Sequence, residues 1–414
     1  MTQGLVAGLD AWIDAHHAAQ VEFLREIVRV PSDTPPGDNA PAAQRAAALL
    51  SALGFMAEKH PVDAATLAPF GLASVTNLIV RERFGAGGPT IALNAHGDVV
   101  PPGEGWTKPP YEGVVENGRM YGRGVAVSKS DFATYAFALA ALREAAGSGA
   151  NFAGTVELHF TYDEEFGGLV GPARLLSQGL TKPDLAICAG FSYSIVTAHN
   201  GCLQLEVTVH GRSAHGAMPE TGHDALMAAT AILDALYAEA ERLKSVRSGV
   251  DGITHPTLIV GRIEGGTNTN VVPDRVTLKL DRRLIPEEDP AIVEPALRQL
   301  IERAAGHREG IRVAFRRLLL SLALKPLPGH ETLVRALQSQ AARVFGEAIP
   351  AVGVPLYTDA RLYSERGCPT VLYGAGPRTV LESNAKRADE NLVLEDLRRA
   401  TKVIAGTLAE LLAA

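Results

Sequence analysis

The sequence predicts an α/β chain of two domains, in which a mostly parallel mixed sheet is interrupted by an inserted α+β segment with an antiparallel sheet. Three observations predict it. Short apolar runs (ASVTNLIV, TIALNA, TVELHFTY and DLAIC) are separated by helical patterns over 131–146 and 172–178, as expected of buried strands covered by helices. After Ala198 the pattern becomes strict alternation: in CLQLEVTVHG, Leu203, Leu205, Val207 and Val209 are interleaved with Gln204, Glu206, Thr208 and His210. RVTLKLD repeats it, so one face of this sheet is apolar and the other wet. Finally, 414 residues exceed what one hydrophobic core usually serves.

The elements follow in order. Apolar residues recur at helical spacing from Leu5 to Val30, PSDTPPGD breaks the pattern, and Ala40 to Leu53 forms a second helix ending at the glycine of LGF. The strand and helix alternation then runs to Cys188. In the insertion, long helical patterns at 224–246 and 291–305 join the alternating strands. The chain returns through a helix in LPGHETLVRALQSQAARVFG, a strand in PTVLYGAG and a C-terminal helix from about Leu394. The expected domains are residues 1–197 with 317–414, and 198–316. HGDVVPPGEGW and EGGTNTNVVPD are Gly- and Pro-rich loops of the kind that carry site residues on a rigid scaffold.

Composition excludes several classes. The net charge is −7 and no Lys/Arg run is interleaved with aromatics, which argues against a nucleic-acid face. No 18-residue apolar stretch predicts a membrane span, and MTQGLVAGLDAWIDAHH lacks the basic start and apolar run of a leader, so a cytoplasmic protein is expected. Cys188, Cys202 and Cys368 have no C-x-x-C spacing, which suits buried thiols in a reducing compartment.

Three stretches carry candidate chemistry. In NAHGDVV, His96 and Asp98 are two apart, so an extended backbone points them to one side and the carboxylate can fix the imidazole tautomer, the usual support of a metal-binding histidine. In TYDEEFGG, Glu164 and Glu165 are expected to end a strand and point to opposite sides, one free to bind a cation and the other to act as a base. In GRSAHGAMPETG, His215 sits in a loop, where a single histidine is ordinarily just solvated.

Taken in order, VEFLREIVRVPS, HGDVVPPG, YGRGVAVSKSDF, TYDEEFGG, GRSAHGAMPETGHDA, NTNVVPDRVTLKLDRR, YTDAR and ENLVLEDL resemble one family. It is the family of zinc-dependent acetylornithine deacetylases, succinyl-diaminopimelate desuccinylases and glutamate carboxypeptidases. The resemblance implies a zinc-hydrolase catalytic domain interrupted by a lid domain that often dimerises. It implies His96 as a zinc ligand, Asp98 as its supporting carboxylate, Glu164 as general base and Glu165 as a ligand of the other zinc. His215 corresponds to the lid histidine that stabilises the tetrahedral intermediate, and Asn270 and Arg283 to substrate contacts, commonly with a carboxylate.

The chain also departs from that pattern. Val127 stands where the family has the aspartate that bridges both metals, Gly190 where a glutamate binds the first zinc, and Lys386 where a histidine binds the second. Only His96 and Glu165 remain as ligands, so a full dinuclear zinc site is not expected unless Asp131, Cys188 or Glu382 substitutes. Lys386 is expected to take the vacated charge and pair with Glu165. Three functions stay open: amide hydrolysis of a small N-acyl amino acid or dipeptide-like carboxylate, metal-independent acid–base chemistry on such a substrate, and capture of a carboxylate metabolite without turnover. A homodimer through the lid domain is the expected assembly.

Overall fold

A computed structural model of the chain describes residues 3–414. The chain divides into two compact units. The first comprises the chain up to Thr197 with Pro326–Val352 and Thr358–Ala414, and the second Ala198–Lys325 with Gly353–Tyr357.

The first unit is built on an eight-stranded mixed sheet. Its centre is parallel: Gly154–Thr161, Thr90–His96, Leu185–Cys188 and Thr370–Leu372 are successive neighbours. Thr76–Phe84 and Ala57–Pro61 extend one side antiparallel, and Ile195–His199 and Ala351–Val354 extend the other. Ile91 to His96 are all buried, which is why this strand is a continuous apolar run rather than an alternation. The helix Lys129–Gly147 is buried on every side from Lys129 to Leu142 and packs on the helices Gln3–Val28 and Leu394–Leu411. A helix apolar all round belongs inside a structure. The buried amide of Gln20 is satisfied there, its Nε2 donating to Thr401 Oγ1 at 2.6 Å.

The second unit is a four-stranded antiparallel sheet in the order Thr257–Gly265, Arg275–Leu284, Gly201–His210, Arg312–Ser321. Leu203, Leu205, Val207 and Val209 pack with Val276, Leu278 and Leu280 against the helices Ala225–Leu243 and Pro290–Ala305. Both helices start at an aspartate. Asp224 accepts from Leu226 N at 2.8 Å and Asp289 from Ala291 N at 2.8 Å, satisfying amides that have no intrahelical partner. Gln204, Glu206, Asp281 and Arg283 lie on the opposite, polar face.

The two outer strands of this sheet were not visible in the sequence. Each carries a register shift, between Val260 and Arg262 and between Arg317 and Leu319, and a shift of one residue breaks the alternation by which a strand is recognised. The strand Arg312–Ser321 runs through residue 316. Among the described residues no helix is long and apolar enough to cross a membrane.

Candidate active site

Parallel neighbours end at the same edge of a sheet, and in open α/β sheets ligands bind outside those carboxyl ends. His96 ends one central strand, Tyr162 to Glu165 follow the end of the next, and Gly190 follows the end of a third. Topology alone therefore gathers segments far apart in sequence.

His96 is held at both ends. Its N–H donates to Ser128 Oγ at 3.0 Å, and that hydroxyl donates to His96 O at 2.9 Å. The ring Nδ1 lies 3.0 Å from Asp98 O and 3.3 Å from Asp98 Oδ1, while Nε2 faces Glu164 Oε2 at 3.8 Å. Gly97 between them has no space for a side chain: a Cβ would lie 2.4 Å from a ring carbon of Tyr162. The fully buried Asp98 also accepts the N–H groups of Glu164 at 3.2 Å and Glu165 at 3.0 Å, so one carboxylate fixes both the ring and the next loop. Burial works against a charged ring, but Glu164 and then Asp98 outweigh it and raise the His96 pKa to about 10. The surrounding carboxylates thus favour the protonated ring.

The expectation that Glu164 and Glu165 end a strand is not met. The strand stops at Thr161, and Glu164–Phe166 forms one 3-10 turn closed by Gly167 at φ 96°. The cause is the capture of both amides by Asp98, which competes with strand pairing, together with a left-handed residue that glycine supplies at little cost. The two carboxylates stay close enough to repel: burial first, and then Glu164, push Glu165 up to about 7, against Lys386 and His96. The half-exposed Lys386 places Nζ 2.7 Å from Glu165 Oε2. Partial burial lowers the pKa of this ammonium, but Glu164 and then Glu165 more than compensate, so its net shift is upward.

Val127, Gly190 and Lys386, the positions at which the sequence was expected to depart from the family pattern, are equally well defined. Val127 carries an apolar side chain, and its N–H reaches Glu390 Oε1 at 3.4 Å. At Gly190 a Cβ would lie 2.7 Å from Tyr373 N and 2.8 Å from Leu372 C, so the backbone there excludes any side chain. The potential substitutes are engaged elsewhere. Asp131 accepts Ala375 N at 2.7 Å, Glu382 pairs with Arg119 at 3.7 Å, and Cys188 is buried with its thiol pKa pushed well up by that burial. Among the described residues no group of three or more His, Cys, Asp or Glu side chains is arranged to hold a metal ion. Lys129, buried like Asp131, donates to Val30 O at 3.1 Å and not to the carboxylates.

The model of peptidase family M20/M25/M40 matches residues 92–410. The chain belongs to this family. A succinyl-diaminopimelate desuccinylase of Methylobacterium nodulans is 28% identical over 389 residues, 91% of this chain and 92% of that one. Among solved structures, the di-peptidase Dug1p of Saccharomyces cerevisiae superposes with a TM-score of 0.78 at 14% identity, over 98% of both chains. A dinuclear metal-binding M20 peptidase of Bacillus subtilis superposes at 0.68 with 19% identity, over 96% of this chain and 99% of that one. The fold of the M20 family, with a mostly parallel mixed sheet and a separate antiparallel one, is the fold found here.

In this M20 chain the remaining candidates lie in the second unit. His215 is exposed, and its Nδ1 accepts Ala217 N at 3.1 Å. Its neighbour Gly216 donates to Asn270 O at 2.7 Å, so His215 and the exposed Asn270 share one loop pair. Arg283 stands apart on the polar face of the sheet, paired with Asp281. The sequence reading missed Glu390, which is 1% exposed. Its Oε2 receives Arg123 Nη1 at 2.6 Å and Lys386 N at 3.3 Å, and its Oε1 receives Ala126 N at 3.0 Å as well as Val127 N. One buried carboxylate thereby fixes the backbone at both Val127 and Lys386. The available signal was its place at the head of ENLVLEDL, a segment that carries the family resemblance.

Proposed function

We propose that this M20 enzyme cleaves the amide of a small N-acyl amino acid or dipeptide-like substrate that bears a carboxylate, with Lys386 in place of a metal. The observation that carries the reading is the Lys386 ammonium seated 2.7 Å from Glu165. A catalytic zinc takes about three protein ligands. The donors here do not fit a dinuclear centre: Val127 is apolar, Gly190 has neither a side chain nor room for one, and Lys386 is itself a cation.

In this reading Glu164 takes a proton from a water as its oxygen attacks the amide carbonyl carbon. The carbonyl oxygen gains the negative charge, which Lys386 Nζ and the His96 imidazolium oppose. Glu164 then returns the proton to the nitrogen as the C–N bond breaks. Free water is a very weak acid, so the reaction depends on those fixed cations. One preorganised donor is worth about 10²–10³ in rate. Following the family resemblance, His215, Asn270 and Arg283 contact the substrate and the second unit is the lid and dimerisation domain. The exposed Ile259 and Ile263 on its outer strand support the latter role. Three unpaired thiols agree with a cytoplasmic setting.

The test combines zinc content by inductively coupled plasma mass spectrometry with turnover of N-succinyl and N-acetyl amino acids under a chelator. Turnover that survives chelation, without stoichiometric zinc, and that falls about 10²-fold or more in Lys386→Ala supports the reading. About two zinc ions per chain, with turnover abolished by the chelator, overturns it.

A further inference from the structure

Arg283 is held more elaborately than a surface arginine needs to be. In the antiparallel register it lies beside Cys202, and Asp281, two residues earlier on the same face, lies beside Gln204. Arg283 Nε donates to Asp281 Oδ1 at 2.8 Å. The other oxygen of Asp281 receives Gln204 Nε2 at 3.0 Å and the Cys202 thiol at 3.4 Å. Three donors thus fix the carboxylate, and the carboxylate fixes the guanidinium by its inner edge. The guanidinium carbon also lies 5.3 Å from the centre of the Tyr357 ring, within the range of a cation–π contact.

This clamp leaves one edge over. Among the described residues neither Nη of Arg283 has a hydrogen-bond partner, and the side chain is 29% exposed. An unclamped arginine spreads over many rotamers and loses that freedom when it binds, so prior fixation is repaid as affinity. The free Nη pair offers two parallel N–H donors and no acceptor. A carboxylate meets them with two acceptor oxygens, whereas a carboxamide meets one of them with its own N–H donors.

We infer that Asp281 and Tyr357 are positioning residues that present Arg283 end-on, and that they make this enzyme select a free carboxylate over the corresponding amide. The inference rests on the reading of Arg283 as a substrate contact. Asp281 costs some electrostatic attraction by half-neutralising the arginine and returns it as orientation. A purely structural ion pair would leave carboxylate preference untouched when broken.

The test measures binding of N-acetyl-L-alanine and of N-acetyl-L-alaninamide to the full chain by calorimetry. The wild type is expected to prefer the acid about tenfold or more, the scale of one charge-assisted hydrogen bond. Arg283→Ala is expected to abolish that preference, and Asp281→Ala and Tyr357→Ala to reduce it to about threefold or less, while Tyr357→Phe, which keeps the ring, retains it. If Asp281→Ala does not fold, the Tyr357→Ala and Tyr357→Phe pair decides alone. Preference retained in Asp281→Ala or Tyr357→Ala but lost in Arg283→Ala overturns the inference and leaves Arg283 as the contact. Preference retained in Arg283→Ala, or absent from the wild type, removes the contact itself and the inference with it.

Discussion

The two units hold their candidate residues in opposite ways. In the first, His96, Asp98, Glu164 and Glu390 are almost wholly buried, with His96 facing Glu164 and Glu390 paired with Arg123 from distant parts of the chain, and Lys386 alone is half-exposed. In the second, His215 and Asn270 are exposed on loops, and only Arg283 is clamped, by Asp281 on its own strand and by the ring of Tyr357. Buried charge is expensive unless fully paired, so residues of the first kind serve the fold and the chemistry together. Exposed residues cost the fold little and are free to be specialised for a ligand.

The largest expected effect tests the first half of that contrast. Asp98→Ala strands the amides of Glu164 and Glu165 and leaves the buried His96 ring without its carboxylate, so it is expected to destabilise the protein by about 3–5 kcal/mol in urea unfolding. A change below about 1 kcal/mol would place Asp98 with the surface residues.

Glu157 sharpens the contrast away from the site. It is 5% exposed, accepts from Arg81 Nε at 2.8 Å and from Thr181 Oγ1, and pairs with His159 Nε2 at 2.9 Å, while His159 Nδ1 meets Tyr363 Oη at 2.8 Å. Burial acts to raise its pKa, but these bonds, His159 foremost, bring it from an ordinary 4.5 down to about 2. A depressed folded value means that its contribution, on the order of 3 kcal/mol, is complete above its ordinary pKa and lost as pH falls through the folded one. Glu157→Gln is therefore expected to be less stable than the wild type at neutral pH, with the two curves converging on acidification. Parallel curves down to low pH would contradict the network.

The smallest effect tests the second half. His215→Ala is expected to change unfolding free energy by less than about 0.5 kcal/mol. Turnover of the N-acyl amino acid panel is expected to fall nonetheless. A clear loss of stability would show that His215 belongs to the framework and would erase the difference between the units.

Much of this was present in the sequence. Helical spacing located Gln3–Val28, Ala40–Ala52 and Leu394–Leu411, and strict alternation located Gly201–His210 and Arg275–Leu284, because both patterns depend on which side of a local backbone faces the core. Val127, Gly190 and Lys386 were singled out differently, by setting the residues that flank them beside the family pattern. Tertiary structure decided the rest. The Lys386–Glu165 pair, across 221 residues, was expected from the family pattern alone, whereas nothing in the sequence announced that Asp98 bends the Glu164 segment from strand into turn across 66 or that Glu390 reaches Ala126 across 264. No local periodicity encodes such pairings. They exist because parallel strands bring their ends to one edge of a sheet and because a buried charge must find its partners wherever the fold has carried them.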